Sequence, residues 1–331
     1  MNETKTPFCR LLWLGTLGGW KSEAIGVSLN GAVVVGWVIN ENGRERAFRW
    51  TEDDGMQDIG TLGGSTSIAR GVSADGTIIV GWAYTANGFY RAFRWSQEHG
   101  MKALKGFFRS TAWAVSSEGI VIVGNGLRAG QWRAFRYASD SEEIEECGTL
   151  GGAESMAFGV SANGAIVVGR ARNAAGQWRA FRWTQNERKM QDLGTLGGSD
   201  SVAFGVSADG AVTIGTALNA DGRLRAFLWT QSEGMRDLGT LGGSDSQADG
   251  VSADGSVIVG TAQNQTGNWC AYLWTQEQGM QDLNVLCADQ LSDGSVLVHA
   301  RAVSADGRFI VGYGKNAATG RSEGFLLQWR E

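Results

Sequence analysis

Apolar positions along this chain fall in short runs, and the runs recur. Between residues 22 and 64 they read "SEAIGVS", "AVVVGW", "RAFRW" and "MQDIGTLGG", parted by "LNG", "NENGRE" and "TEDDG". Each run has the length and β-branched or aromatic content of one strand, and each separator carries Gly beside Asn, Asp or Glu, which is turn chemistry. The pattern predicts four short strands about every 45 residues. "GTLGG" returns at 15–19, 60–64, 148–152, 194–198 and 239–243. The "GVS" or "AVS" segment returns at Val27, Val72, Val115, Val160, Val206, Val251 and Val303, and the "RAFRW" segment ends at Trp50, Trp95, Tyr137, Trp183, Trp229, Trp274 and Trp329. Seven copies of a four-stranded unit predict an all-β, seven-bladed β-propeller.

Side-chain size sets the radial order. Blades converge on an axis, so the innermost strand has room only for small residues. "AxGVS", with Ala24, Ala69, Ala112, Ala157, Ala203, Ala248 and Ala300, belongs there. The "VVV" run follows, joined to it through Asn30-Gly31, Asp75-Gly76 and their equivalents, which predict tight hairpins with positive φ angles. "RAFRW" lies farther out, where large rings fill the widening gap, and "MQDLGTL" is outermost. The chain opens on an outer strand, "CRLLWLGTL", and closes on a third strand, "GFLLQW". These complementary ends predict that the first strand completes blade seven and removes the exposed edges. One domain over 1–331 is expected, with 10–19 as the outer strand of blade seven and 20–329 as the tandem repeats. In copies one, four and five, Arg in the third strand faces Asp in the fourth, as with Arg46, Arg49 and Asp58.

Composition narrows the function. Thirty-four acidic against 29 basic residues leave no basic patch for phosphates, so nucleic acid is not an expected partner. Fifty glycines beside 14 Trp and 13 Phe describe a dense β-protein rather than a disordered chain. The amino-terminal apolar run is too short for a signal peptide, and no 18-residue apolar stretch predicts a membrane helix. Cys9, Cys147, Cys270 and Cys287 occupy four different places in the repeat with no CxxC pair, which argues against a metal site and equally against a disulfide framework. Cys147, standing where other copies carry Leu or Ile, reads as a buried apolar thiol.

The combined sentence "GTLGG … GVSADG … VVG … AF.W", over residues 10–329, resembles the HAF-repeat family of probable extracellular repeat proteins. That resemblance implies a bacterial surface or secreted protein. The "VSADG" hairpin is also similar to the "FSPDG" hairpin of WD-repeat propellers, which close by pairing the first strand with the last blade. Where the family name places His-Ala-Phe, this chain has Arg-Ala-Phe at 46–48, 91–93, 133–135, 179–181 and 225–227, so no role of that His carries over.

No GxSxG, HExxH, P-loop or EF-hand pattern occurs, and no catalytic residue, metal ligand or cofactor is expected. "NADG" at 219–222 lacks the distal Glu of a calcium loop. His99 reads as a solvated loop residue. His299 follows an insertion, "CADQLSDGSVLVHARAVS", that makes the stretch between Leu286 and Ala302 seven residues longer than in copy six. The 287–301 segment is expected either to sit across the channel mouth or to form a small hairpin plug. The "RAFRW" arginines are expected to pack on neighbouring aromatics and pair with outer-strand Asp; an anion-binding ring is the functional alternative.

Two sets of positions are candidate sites. Tyr90, Trp132, Trp178 and Trp269, with Leu224 in the same place, precede the "RAF" signature on the face that also carries the "GTLGG" loops. They would anchor a protein or sugar, or cover the rim of the blade interfaces. Arg70, Asp249, His299 and Arg301 are unrepeated polar residues that could gather at a channel mouth. The reading favoured is a non-enzymatic, monomeric propeller that binds a protein or glycan through one face, at the cell surface or beyond. A carbohydrate- or lactone-active lyase or hydrolase and an intracellular scaffold are the alternatives.

Overall fold

The computed structural model describes residues 8–330. Antiparallel four-stranded sheets repeat seven times around a central channel. Blade four shows the plan: Gly151–Val160 inside, then Ile166–Asn173, Trp178–Thr184 and Lys189–Asp192 outside, each pairing with the next. In blade seven the strands Val296–Val303, Phe309–Asn316 and Arg321–Arg330 are completed by the first strand, Phe8–Trp13. Leu11 stands opposite Leu327 and Trp13 opposite Phe325, so the ring closes as the complementary chain ends predict. The closing strand begins at Phe8, and the inner strand of blade one already starts at Gly18. A single parallel bridge, Lys21 to Ser322, joins these two blades. Residues 1–7 and 331, part of the expected domain and of the segment read for an export signal, lie outside the described residues.

Packing follows the predicted radial order. The inner-strand alanines Ala24, Ala69 and Ala112 and their equivalents are fully buried. The aromatic row Phe48, Phe93, Phe135, Phe181, Phe227, Tyr272 and Phe325 is buried in the blade interfaces, each ring contributing about 1.5–3 kcal/mol of burial. Arg46–Asp58, Arg179–Asp192 and Arg225–Asp237 are ion pairs at 3.2, 3.2 and 2.9 Å, in copies one, four and five. Expected stacking of "RAFRW" arginines on aromatics is replaced by reach to the neighbouring blade: Arg136 Nε donates to Gly164 O at 2.9 Å and Arg182 to Gly210 O at 3.4 Å. A long side chain at the blade edge meets an unpaired turn carbonyl before it meets a ring.

A serine two residues ahead of the inner alanine, present in six of the seven copies, ties neighbouring blades. Ser67 Oγ donates to Gly60 O at 2.6 Å and accepts from Ala47 N of blade one at 2.9 Å. Ser110, Ser155, Ser201 and Ser246 likewise accept from the Ala N–H of the preceding "RAF" segment. At the opposite end of the channel a chain of backbone bonds runs from blade to blade, from Leu29 N to Ala74 O at 2.9 Å through to Ala253 N to Ala305 O at 2.9 Å. One expectation needs correction here. The Asx-Gly hairpins are not two-residue turns: only the glycine takes positive φ, as at Gly31 (φ 73°). Ser28 closes a longer loop by accepting from Val33 N at 3.0 Å, so the serine, not a left-handed Asn, shapes the turn.

The 287–301 insertion neither crosses the channel nor forms a hairpin. Leu283–Leu286 makes a single helical turn, capped by Asp282, and Ala288–Leu291 a 3-10 turn. Together they take the place of "GTLGG" and pack Cys287 and Leu291 against Cys9, Leu11 and Trp13 of the closing strand. A disulfide joins Cys9 to Cys287 across 278 residues of sequence, contrary to the expectation drawn from spacing. Spacing is uninformative when the partners meet only through closure of the ring. Cys147 is buried among apolar residues, as its place in the repeat predicts.

Candidate functional site

Every inner strand carries a β-bulge at the same place. In blade one Ala24 pairs with Gly36 and Gly26 with Val35, leaving Ile25 without a partner. The bulge also drives the backbone onto the second strand: a Cβ at Gly36 would lie 2.0 Å from Glu23 O, which explains the glycine ending each "VVG" run. A bulged residue is re-aimed, and here it points to the axis. The residues so placed are Ile25, Arg70, Trp113, Phe158, Phe204, Asp249 and Arg301, and all line a channel cavity of about 390 Å³. One repeat position therefore builds a wall of mixed apolar, aromatic, acidic and basic chemistry.

The wall is divided. Trp113 meets Phe158 edge-on at 5.0 Å, and Phe158 lies 5.7 Å from Phe204, giving an aromatic side. Opposite stand the charged residues. His299 Nε2 is 2.8 Å from Asp249 Oδ2, Arg301 Nη1 is 3.5 Å from Asp249 Oδ1, and Arg301 Nε donates to Glu23 Oε1 at 2.7 Å. Gln247 Nε2 donates to Asp249 at 2.7 Å. Burial alone would raise Asp249, but attraction and a hydrogen bond from His299, with Arg301 and Gln247 behind them, hold its carboxyl below the ordinary range. Burial would likewise lower Arg301, and the carboxylates of Asp249 and Glu23 outweigh it, so its guanidinium is held above its ordinary value. Arg70 lies over the Trp113 ring at 4.5 Å. Its Nε is enclosed without an acceptor, and burial pushes its guanidinium down to about 10.

Three of the four channel-mouth candidates, Arg70, Asp249 and Arg301, thus line one cavity, and His299 is buried behind them in direct contact with Asp249 and Arg301. The aromatic candidates are placed differently. Tyr90 stacks on Trp132 at 6.2 Å across the junction of blades two and three. Trp178 is covered by Arg170 and Arg172 at 4.3 and 4.5 Å. Trp269 and Leu224 are exposed on their own blades. His99 is a loop residue beside Glu98 and Ser96, and the "NADG" turn is shaped by Asn219 Oδ1 accepting from Asp221 N and Arg223 N.

Sequence reading missed Glu23 and the aromatic trio Trp113, Phe158 and Phe204. The signal was the variable "x" of "AxGVS": a position that ranges from apolar and aromatic to acidic and basic among the copies while its neighbours stay small. It also passed over the serine of "SxA", although six copies carry it, at Ser22, Ser67, Ser110, Ser155, Ser201 and Ser246.

No helix among the described residues is long and apolar enough to cross a membrane. No family model matches the chain, and no curated protein matches its sequence. Solved structures resemble it in fold. The β-propeller domain of the Trilobed protease from Pyrococcus furiosus, described as having an open velcro topology, superposes with a TM-score of 0.62 at 12% identity over 94% of this chain and 97% of that one. The Cps50 (Swd1) β-propeller domain of Myceliophteria thermophila gives 0.56 at 11%, over 96% and 99%. TolB from Acinetobacter baumannii gives 0.54 at 11% over 80% of this chain, which spans 63% of that TolB. At such identities the likeness is one of fold, and the fold is a β-propeller.

Proposed function

We propose that this propeller is a non-enzymatic module that binds a protein or glycan partner through the face that carries the "GTLGG" loops. The observation that carries the reading is where large apolar side chains are exposed. Trp20, Phe108, Leu224 and Trp269 all lie at the strand ends of that face, and Phe108 at 63% and Trp20 at 62% are the most exposed aromatics. Exposed aromatics on a rigid frame are the usual anchors of an interface. The resemblance to HAF repeats and the Cys9–Cys287 bond both favour an oxidising compartment, at the cell surface or beyond. An intracellular scaffold would keep those two thiols reduced, so alkylation of the native chain in its own cells separates the two.

The binding test compares the parent with a variant carrying Trp20→Ser, Phe108→Ser and Trp269→Ser in pull-downs from surface and soluble extracts. A partner held by the parent and lost by a variant of unchanged thermal transition supports the face. Equal capture removes it. The His299–Asp249 contact beside Arg301 favours a second reading, a lyase or hydrolase acting on a carbohydrate or lactone at the channel. That reading requires turnover of such substrates that disappears in His299→Ala.

A further inference from the structure

We infer that the channel cavity is a binding site for a small organic carboxylate with an aromatic or branched apolar body. The argument is one of unmatched chemistry. Asp249 is satisfied by His299, Gln247 and Arg301, and Arg301 in turn by Glu23. Arg70 has no such partner: among the described residues its guanidinium makes no hydrogen bond or ion pair, and its Nε is shut away from solvent. Its charged neighbours, Glu23, Glu45 and Arg301, act on it only at a distance. A cation held in a partly enclosed site without an acceptor is costly. Its guanidinium lies 4.5 Å from the Trp113 ring centre, and a guanidinium beside a ring keeps its forked N–H donors available to a bidentate carboxylate.

The rest of the wall selects what carries that carboxylate. Phe158 and Phe204 continue the aromatic side beyond Trp113, so an apolar body adjoining the acid group would be desolvated as the acid reaches Arg70. A volume of about 390 Å³ lies in the range of small-molecule sites. The negative groups are already spent on His299, Arg301 and Gln247, so nothing in the cavity calls for a cationic ligand.

Titration calorimetry of the full chain with 3-phenylpropionate, and with 3-phenylpropanamide as its neutral counterpart, tests the site. The acid is expected to bind and the amide to bind about tenfold more weakly or worse, the loss of a charge-assisted contact. Arg70→Gln should abolish the preference for the acid, Arg70→Lys should retain part of it, and Arg94→Gln, a similarly unpartnered arginine away from the channel, should leave it unchanged. The Trp20, Phe108, Trp269 variant should also bind the acid normally, so failure of the surface reading and failure of this one are separable. No binding at millimolar acid, equal binding of acid and amide, or unchanged affinity in folded Arg70→Gln overturns the proposal.

Discussion

Ser22 Oγ accepts a hydrogen bond from Gly324 N at 2.9 Å, across 302 residues of chain, while donating to Gly15 O at 2.6 Å. This is the same serine clamp that ties the other blades, used here to hold the last blade to the first. Ser22→Ala leaves the buried Gly324 N–H without an acceptor. It should lower stability by about 1–3 kcal/mol, read as a shift in the denaturation midpoint with unchanged m-value.

The Cys9–Cys287 bond fastens the closing strand to the helical turn after blade six. Reduction, or Cys287→Ser, should cost about 2–4 kcal/mol. Amide exchange should quicken first in 8–13 and 321–330, because those strands pair with each other and the remainder of blade seven, with only the Lys21–Ser322 bridge and the Ser22–Gly324 bond to blade one. Uniform loss of protection over all blades would contradict a local latch.

The two free thiols should be unreactive in the native ring. Burial pushes the Cys147 thiol far up, with Glu145 adding to it, and burial with the Asp282 carboxylate pushes Cys270 up to about 11. The thiolate is the nucleophile, so iodoacetamide at pH 8 should label neither until denaturant is added. Mass spectrometry of the alkylated peptides decides it.

Tyr272 occupies in blade six the place that Phe occupies in the other six blades, and its hydroxyl is buried without a partner. Burial, with Asp249 nearby, raises its pKa well above the ordinary value, so it stays neutral. Tyr272→Phe removes an unsatisfied polar group at constant shape and should raise stability by about 1 kcal/mol. A lower melting temperature would mean that the hydroxyl has a partner after all.

Asp249 has its carboxyl depressed in the fold, so its contribution to stability is present above the ordinary carboxylate value, near pH 4, and is lost as pH falls through the lower folded value. Asp249→Asn should destabilise the protein at neutral pH by about 3–5 kcal/mol, since His299 and Arg301 lose a buried counter-charge. The variant should also show a shallower loss of stability between pH 4 and acid, measured by urea unfolding across that range.

The blade count, the strand order and the closing strand were legible because their causes are local or volumetric. Turn residues mark strand ends, small residues fit only near an axis, and an unpaired first strand complements an unpaired last blade. Arg46–Asp58 and its two equivalents were legible for the same reason, since both partners lie within one repeat. The insertion was misread because its composition resembles a loop, while its position is dictated by Leu283, Cys287 and Leu291 finding the apolar back of the closing strand.

What the sequence determined by itself is the ring: seven similar units, each with small residues inside and large ones outside. Tertiary structure alone decided the site. Arg301 meets Glu23, His299 meets Asp249 and Cys9 meets Cys287 at separations of 278, 50 and 278 residues. Each pair joins different blades or the two ends of the chain. Only closure of the ring, with a bulge in every inner strand turning one variable residue to the axis, brings them within reach and leaves Arg70 among them without a partner.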